Sequence, residues 1–401
     1  MKRLLRISLD TLLMSTLPIV MWVLLGIVVN KDITNVFTLT YPIQFITTLL
    51  VSIFGSGANI NATKSDRNSL VNSNIILGSL IGLIITLLLS LNVNKYIEFM
   101  SMDINTYKTF CIYSFILMYL QLILQLVCQK LYYLDETKKS NRLTIFFNIV
   151  NIVLIIFLSA IIKNQELSVT ITILIDSIII LFILVNNVKT FKFEFDIINN
   201  MKYSSNDILD RLGMFIIYFI GFRNTFEYGA IYLAAINFET LITDAQWDMS
   251  YAIITAATID SSKNELKYKE SRKNAYILVL LLIISTLIMG VVLNFYYKPA
   301  LWLVAIFVGI QILDMALIPT VWIKQQYCQV NFSPKITTFC EGIEKVIRIV
   351  SSFLPTPFCT YIGQFVSMVY QIVMFNIVYK NKFYIENGLL KMKKTLQNAS
   401  K

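Results

Sequence analysis

Residues 71–93 read VNSNIILGSLIGLIITLLLSLNV, without one charged side chain. The hydrocarbon core of a bilayer is about 30 Å thick and takes roughly 20 apolar residues of helix to cross, so this stretch is long enough to span. Working outward from it, stretches of similar size bounded by charge or by Asn, Lys and Pro clusters number twelve, at 9–29, 34–58, 71–93, 107–131, 143–163, 167–188, 207–222, 228–258, 275–297, 300–322, 336–354 and 357–379. The seventh is short, and the eighth is long and polar. The first exceeds the apolar core of about 7–15 residues of a cleaved leader, and no small-x-small cleavage site follows it.

Composition points the same way. Of the 401 residues, 56% are hydrophobic and only 14% charged, against about 25% charged in an ordinary soluble domain. Such a chain cannot cover itself with polar surface, and an all-α polytopic membrane protein is the expected fold class. Histidine is absent, which excludes Ser-His-Asp hydrolysis, His-ligated zinc and imidazole proton relays. With no recognisable nucleophile–base pair, no enzyme is expected, and without a Walker A sequence ATP is not the direct driver. Cys111, Cys128, Cys328, Cys340 and Cys359 lack C-x-x-C spacing and read as small buried hydrophobes, not as a disulfide frame or a metal site.

Orientation follows from Lys and Arg, which accumulate in short cytoplasmic loops. With the N-terminus inside, 26 of the 34 fall on the cytoplasmic side, six outside (Lys31, Lys95, Lys108, Lys163, Arg223, Lys298) and two, Lys345 and Arg348, within the eleventh span. A missed or invented helix would move every later loop to the other side and destroy this bias. The net charge of +10 is therefore a cytoplasmic skirt facing anionic lipid, in a plasma membrane with both termini inside. It is no sign of nucleic acid.

The charged loops recur in order. A shift of 194 residues lays KLYYLDETKKSNRLTIFF (from Lys130) onto KQQYCQVNFSPKITTFCE (from Lys324), matching Lys130 with Lys324, Tyr133 with Tyr327 and Thr144 with Thr338 at the turn after a fourth helix. The expected organisation is an N-terminal six-helix bundle (1–189), a cytoplasmic linker (190–206), a C-terminal six-helix bundle (207–380) and a basic, amphipathic cytoplasmic tail (381–401). Both halves start on the same side, so the repeat is parallel, with a pseudo-two-fold axis along the membrane normal, as in several transporter folds.

The segment GIQILDMALIPTVWIKQQYCQVNFSPK (from Gly309) resembles the tenth helix of the multidrug and toxic compound extrusion (MATE) transporters, with a Q-x-x-D pair followed by a proline and a loop. YGAIYLAAINFETLITDAQWDMSYAIITAATIDSSKNE (from Tyr228) looks like that family's second helix of the C-terminal lobe, and TLTYPIQFITTLLVSIFGSGANINATKSDRN (from Thr38) is its N-terminal counterpart in layout. The likeness spans nearly the whole chain through layout and small residues. It departs at the first helix, where Pro18 is followed by a shorter stretch with Asp32 only in the turn, and at the seventh, which lacks an acidic residue. The resemblance implies ion-coupled export, with cation coupling passing by position to Asp314.

Independently of any family, an ionisable group at mid-membrane costs roughly 2.5–3.5 kcal/mol on the insertion scale and needs a reason. Asp314 lies near the middle of the tenth span, with Gln311 on the same face. It could exchange a proton or ligate Na⁺, or be neutralised by a neighbouring helix for packing alone. Asp176, solitary in the sixth span, is a second proton-site candidate on the same terms. In the eighth span Asp244, Asp248 and Tyr251 share one face, while Glu239, Thr243 and Trp247 share another. Two carboxylates and two rings suit an amphipathic organic cation; the alternative is a partly extramembrane segment with Glu239 near the outer surface. In the eleventh span, Glu341 with Lys345 and Glu344 with Arg348 form i, i+4 pairs, read as self-neutralisation or as a gate. Asp10 reads as a helix-end charge. GSGAN (from Gly55) is too short for a phosphate loop, and close helix packing explains it more cheaply.

The expectation is a monomeric antiporter in the lipid bilayer with no cofactor beyond a coupling H⁺ or Na⁺, exporting a small amphipathic cation held between the bundles. The rivals are a flippase for a lipid-linked oligosaccharide, which needs a cationic cavity for pyrophosphate, and a non-transporting scaffold.

Overall fold

In the computed structural model, residues 16–67, 69–188, 193–261, 265–331, 334–381, 383–386 and 389–392 are described. Each of the twelve apolar stretches carries a helix. The first, α1, runs over Thr16–Val28. The second begins with a short 3₁₀ turn and comprises α2 (Asn35–Val51), a widened π turn at Ser52–Gly57 and α3 (Ala58–Ser65). Then come α4 (Ser69–Leu91), a short α5 (Val93–Phe99), α6 (Ile104–Tyr133), α7 (Thr137–Ile161), α8 (Gln165–Asn187) and a second short helix, α9 (Ile197–Tyr203). Beyond it lie α10 (Ser205–Phe226), α11 (Ala230–Ser261), α12 (Glu265–Tyr297) and α13 (Leu301–Leu317). A π turn at Ile318–Trp322 leads into α14 (Ile323–Asn331), followed by α15 (Pro334–Ser352) and α16 (Cys359–Asn381). Eight of the helices described are long and apolar enough to cross a membrane. The seventh span is longer than the sequence suggested: its helix starts earlier, at Ser205, and continues past Phe222 to Phe226.

One element departs from the all-helical expectation. Phe383–Glu386 and Leu389–Met392 pair as antiparallel strands, with Phe383 opposite Met392. Residues 393–401 and Asp10 lie outside the described residues.

Local chemistry sets the helix ends. Asp103 caps α6 by accepting from the Thr106 hydroxyl at 2.6 Å and the Thr106 N–H at 2.8 Å, which hold its carboxyl below the usual carboxylate range. Asn164 caps α8 through Leu167 N–H at 3.1 Å. Between α10 and α11 the chain turns at Gly229, whose φ of +117° is open to glycine and strained for any residue with a side chain. Pro319 offers no N–H to the end of α13, and the ladder widens there into the π turn. Its carbonyl accepts from Arg272 Nε at 3.0 Å.

The surface has the polarity of a protein immersed in lipid. On α8, Ser168, Thr172 and Asp176 recur every fourth residue and are buried, while Ile178 is 68% and Phe182 69% exposed. On α12, Leu287, Val291 and Phe295 face outward over successive turns, whereas Thr286 is buried. Apolar stripes of this length on the outside, with hydroxyls and carboxylates inside, invert the pattern of a water-soluble bundle. All five cysteines are free and buried, as expected for small hydrophobes.

The described residues gather into two units, one from Leu13–Asn237 with Ser352–Pro357, the other from Phe238–Ser351 with Phe358–Lys401. In the first, the segment after α8 is fastened to the ends of α3 and α4. Asn200 of α9, fully buried, accepts from Asn61 Nδ2 at 3.0 Å and donates to Asn74 Oδ1 at 2.8 Å. Beside this ladder Arg67 pairs with Asp196 at 3.1 Å, Ser69 donates to Glu194 at 2.5 Å, and Lys64 lies 4.1 Å over the Tyr203 ring. The Asn199 amide bond is the leading cause that holds the Asp196 carboxyl below its ordinary range.

Candidate functional site

In the second unit four helices bring polar groups to one buried place. The 3.6-residue period puts Gln311 and Asp314 on one face of α13, Tyr361 and Gln364 on one face of α16, and Glu344 and Arg348 on one face of α15. From α11, Glu239 and Trp247 lie two turns apart. Glu239, Gln311, Asp314, Glu344, Arg348 and Gln364 are all buried, Asp314 to 4% exposure.

Hydrogen bonds link them in order. Tyr361 donates its hydroxyl to Glu239 Oε2 at 3.0 Å, and Thr243 donates to Glu239 Oε1 at 2.9 Å. The Tyr361 ring stacks on Phe307 with centroids 4.2 Å apart. Gln311 Oε1 accepts from Trp247 Nε1 at 2.9 Å and from Gln364 Nε2 at 3.0 Å. The same Gln364 nitrogen donates to Asp314 Oδ2 at 2.8 Å. Arg348 bonds Glu344 at 3.4 Å, Lys345 also pairs with Glu344 at 3.2 Å, and Glu341 accepts from Gln325. Arg348 and Glu344 act electrostatically on Asp314 with opposite signs.

Two atoms stand out. Asp314 Oδ1 and Trp322 Nε1 are buried and short of full hydrogen-bond geometry among the described residues, although the Trp322 N–H is near enough to act on the Asp314 carboxyl. A buried carboxylate with one oxygen bonded and the other incompletely satisfied is costly as an anion and gains from a proton or a small cation. Among the described residues no three His, Cys, Asp or Glu cluster in a way that could hold a metal ion, so a cation at Asp314 would draw on amide oxygens as well as the carboxylate.

α16 can approach α15 this closely because it carries Gly363 where the helices meet. A Cβ there would stand 2.8 Å from Ser351 Cβ and 3.2 Å from Arg348 Cα. The next residue is Gln364, so the same contact sets the amide that reaches Asp314.

The sequence-derived residues divide accordingly. Asp314, Gln311, Trp247 and Glu239 come together, with Glu239 4% exposed and bonded to α16. Asp244 is half-buried. The side chains of Asp248 and Tyr251 lie outside the described residues. Asp176 belongs to the other unit, where Asn151 Nδ2 donates to its Oδ2 at 2.5 Å and to the Tyr113 hydroxyl at 2.8 Å. Its Oδ1 is buried without a hydrogen-bond partner among the described residues. Tyr361 and Gln364 were not singled out from sequence, although Gln364 and Gln371 interrupt the twelfth apolar stretch two turns apart.

By sequence no protein-family model matches this chain, and no curated protein does. By structure it is similar to a multidrug resistance MATE family transporter of the MOP superfamily in its outward-facing conformation, at 14% identity and a TM-score of 0.63, covering 94% of this chain and 96% of that one. An inward-facing structure of such a transporter gives 12%, 0.62, 93% and 95%. A MOP superfamily transporter from Pyrococcus furiosus, described as having a binding pocket of reverse polarity that suggests a different function, gives 14%, 0.63, 94% and 96%. The chain is a multi-pass membrane protein with the fold of the MATE transporters.

Proposed function

We propose that the chain is a secondary transporter that exports a small amphipathic organic cation in exchange for H⁺ or Na⁺ across the plasma membrane, its termini cytoplasmic. The carrying observation is Asp314, buried in α13 with Oδ2 held by Gln364 and Oδ1 incompletely satisfied. A carboxylate in this setting gains greatly from a bound proton or cation, and its gain changes whenever the amides around it move. Gln364 donates to both Asp314 and Gln311, and Gln311 accepts from the Trp247 indole, so the coupling group and a ring that suits an organic cation are three hydrogen bonds apart. Asp244, Asp248 and Tyr251 on α11 complete the proposed substrate face. Asp176, with its Asn151 and Tyr113 partners, is a second ion site in the other unit.

The fold favours this over an enzyme or a scaffold. The flippase reading needs a surplus of positive charge, whereas Arg348 is already paired with Glu344 and carboxylates outnumber bases in the cluster. The test is uptake of a fluorescent organic cation into proteoliposomes under an imposed proton or Na⁺ gradient. Asp314→Asn is expected to abolish gradient-driven uptake; unchanged uptake by that variant removes Asp314 from the mechanism. Uptake of a lipid-linked sugar by the parent, with none of the cation, selects the flippase.

A further inference from the structure

The first unit holds a cavity whose lining shares no residue with the Asp176 network. It measures about 340 Å³ and is lined by the last turns of α4 with Leu88 and Leu89, by Tyr96 and Phe99 of α5, and by Phe219 of α10. Its volume falls in the usual range of roughly 300–1,000 Å³ for small-molecule sites. The aromatic floor is fixed: Phe99 stacks on Phe219 with centroids 4.7 Å apart, Phe215 stacks on Phe219 at 5.2 Å, and the Tyr96 hydroxyl donates to the Leu39 carbonyl at 2.6 Å.

The polar groups at its edge are unlike the floor. Asn92 and Lys95 line the same cavity. Asn92 turns its amide back to the Leu88 carbonyl at 2.8 Å. Lys95 is exposed and makes no ion pair or hydrogen bond among the described residues. Arg223, one turn beyond Phe219, lies 5.0 Å over the Phe99 ring and pairs with Glu227 at 2.7 Å. The acids nearby are Glu98, exposed on α5, and Asp103, held by Thr106.

The height in the membrane says what fills it. Leu88 lies one turn before Leu91, where the 23-residue span of α4 ends and Leu91 is 81% exposed. That is the level at which acyl chains meet headgroups, where aromatic rings collect and lysines reach outward. An apolar cleft with a free ammonium above it is complementary to an acyl chain with a negative head. We propose that this cleft is a binding site for one anionic phospholipid of the leaflet that meets this end of α4, its chain on the Leu88–Phe219 floor and its phosphate at Lys95.

The test uses the purified full-length protein in detergent, with dioleoyl phosphatidylglycerol or dioleoyl phosphatidylcholine added and bound lipid counted by native mass spectrometry. A basic side chain at a lipid surface contributes roughly 1 kcal/mol toward anionic lipid, so about fivefold greater retention of phosphatidylglycerol is expected. Lys95→Gln should bring the two lipids level, Lys95→Arg should keep the preference, and Lys163→Gln, an exposed lysine away from the cleft, should leave it unchanged. Equal retention by the parent, or a preference that survives Lys95→Gln, overturns the assignment. Glycerophosphoglycerol, the same head without chains, should not displace the lipid; displacement at equal concentration would make this a simple anion site and overturn the proposal as well.

Discussion

Replacing Asn200 separates two ideas about what holds α9 to the rest of its unit. If burial alone holds it, leucine, close to asparagine in size and more apolar, should serve as well or better. The geometry says otherwise. Asn200 is the acceptor for Asn61 and the donor to Asn74, and all three side chains are almost fully buried. Asn200→Leu strands the Asn61 donor, whose other contact is a long 3.5 Å bond to the Asp196 carbonyl, and it removes the donor that reaches Asn74 Oδ1. At about 1–3 kcal/mol per stranded group the loss is roughly 2–6 kcal/mol. Asn200→Ala leaves space instead, and a water with two polar partners can occupy it from the nearby surface, so the cost should fall to about 1–2 kcal/mol. With roughly 2–4 °C per kcal/mol for units of about 200 residues, leucine should lower the unfolding midpoint by about 4–24 °C and alanine by about 2–8 °C. The buried free thiols supply the assay, because a maleimide dye that fluoresces on reaction reads their exposure on heating. Leucine equal to the parent, or alanine at least as damaging as leucine, would falsify the ladder as the attachment.

Two further outcomes follow from the carboxylate cluster. Gln364→Leu removes the described partner of Asp314 Oδ2 and one of the two donors to Gln311; it should cost about 1–3 kcal/mol per group stranded, and much less when Asp314 is already Asn or Leu, so a double-mutant cycle in the same thiol assay should return a coupling of at least about 0.5 kcal/mol. Gly363→Ala forces a methyl against Ser351 Cβ and the Arg348 backbone, an overpacking cost of about 1–3 kcal/mol; a midpoint within 1–2 °C of the parent, on the same conversion, would show that α15 and α16 are looser than the contact implies.

Spans were the most legible part of the sequence, because lipid imposes a length and a polarity that each helix must meet alone. Where that constraint weakens, legibility does too. The seventh stretch ends at Phe222, before the charge of Arg223, yet the helix continues to Phe226, since a helix leaving the bilayer need not stop at its first charge. The antiparallel pairing of Phe383–Glu386 with Leu389–Met392 joins two four-residue strands, which no local period announces. In the cluster, Asp314 and Gln311 could be found because a charge in an apolar run is costly wherever it lies. Glu239 was legible as a residue but not in its role, since its partner, the Tyr361 hydroxyl, comes from a helix more than a hundred residues on. Tyr361 and Gln364 are neutral and common in membrane helices. Their importance comes only from the close contact of α16 with α15 and α13.

That contact has a mechanical consequence. Where Gly363 meets the Ser351 Cβ and the Arg348 backbone little space is left for slip, so a shift of α15 carries to α16 as through a lever. The guanidinium end of that lever and its amide end both bear on one carboxylate of α13, from different helices. A tilt of the lever by a fraction of a turn would therefore alter charge and hydrogen bonding at Asp314 in the same stroke, and a proton or ion arriving there would push back on both arms together.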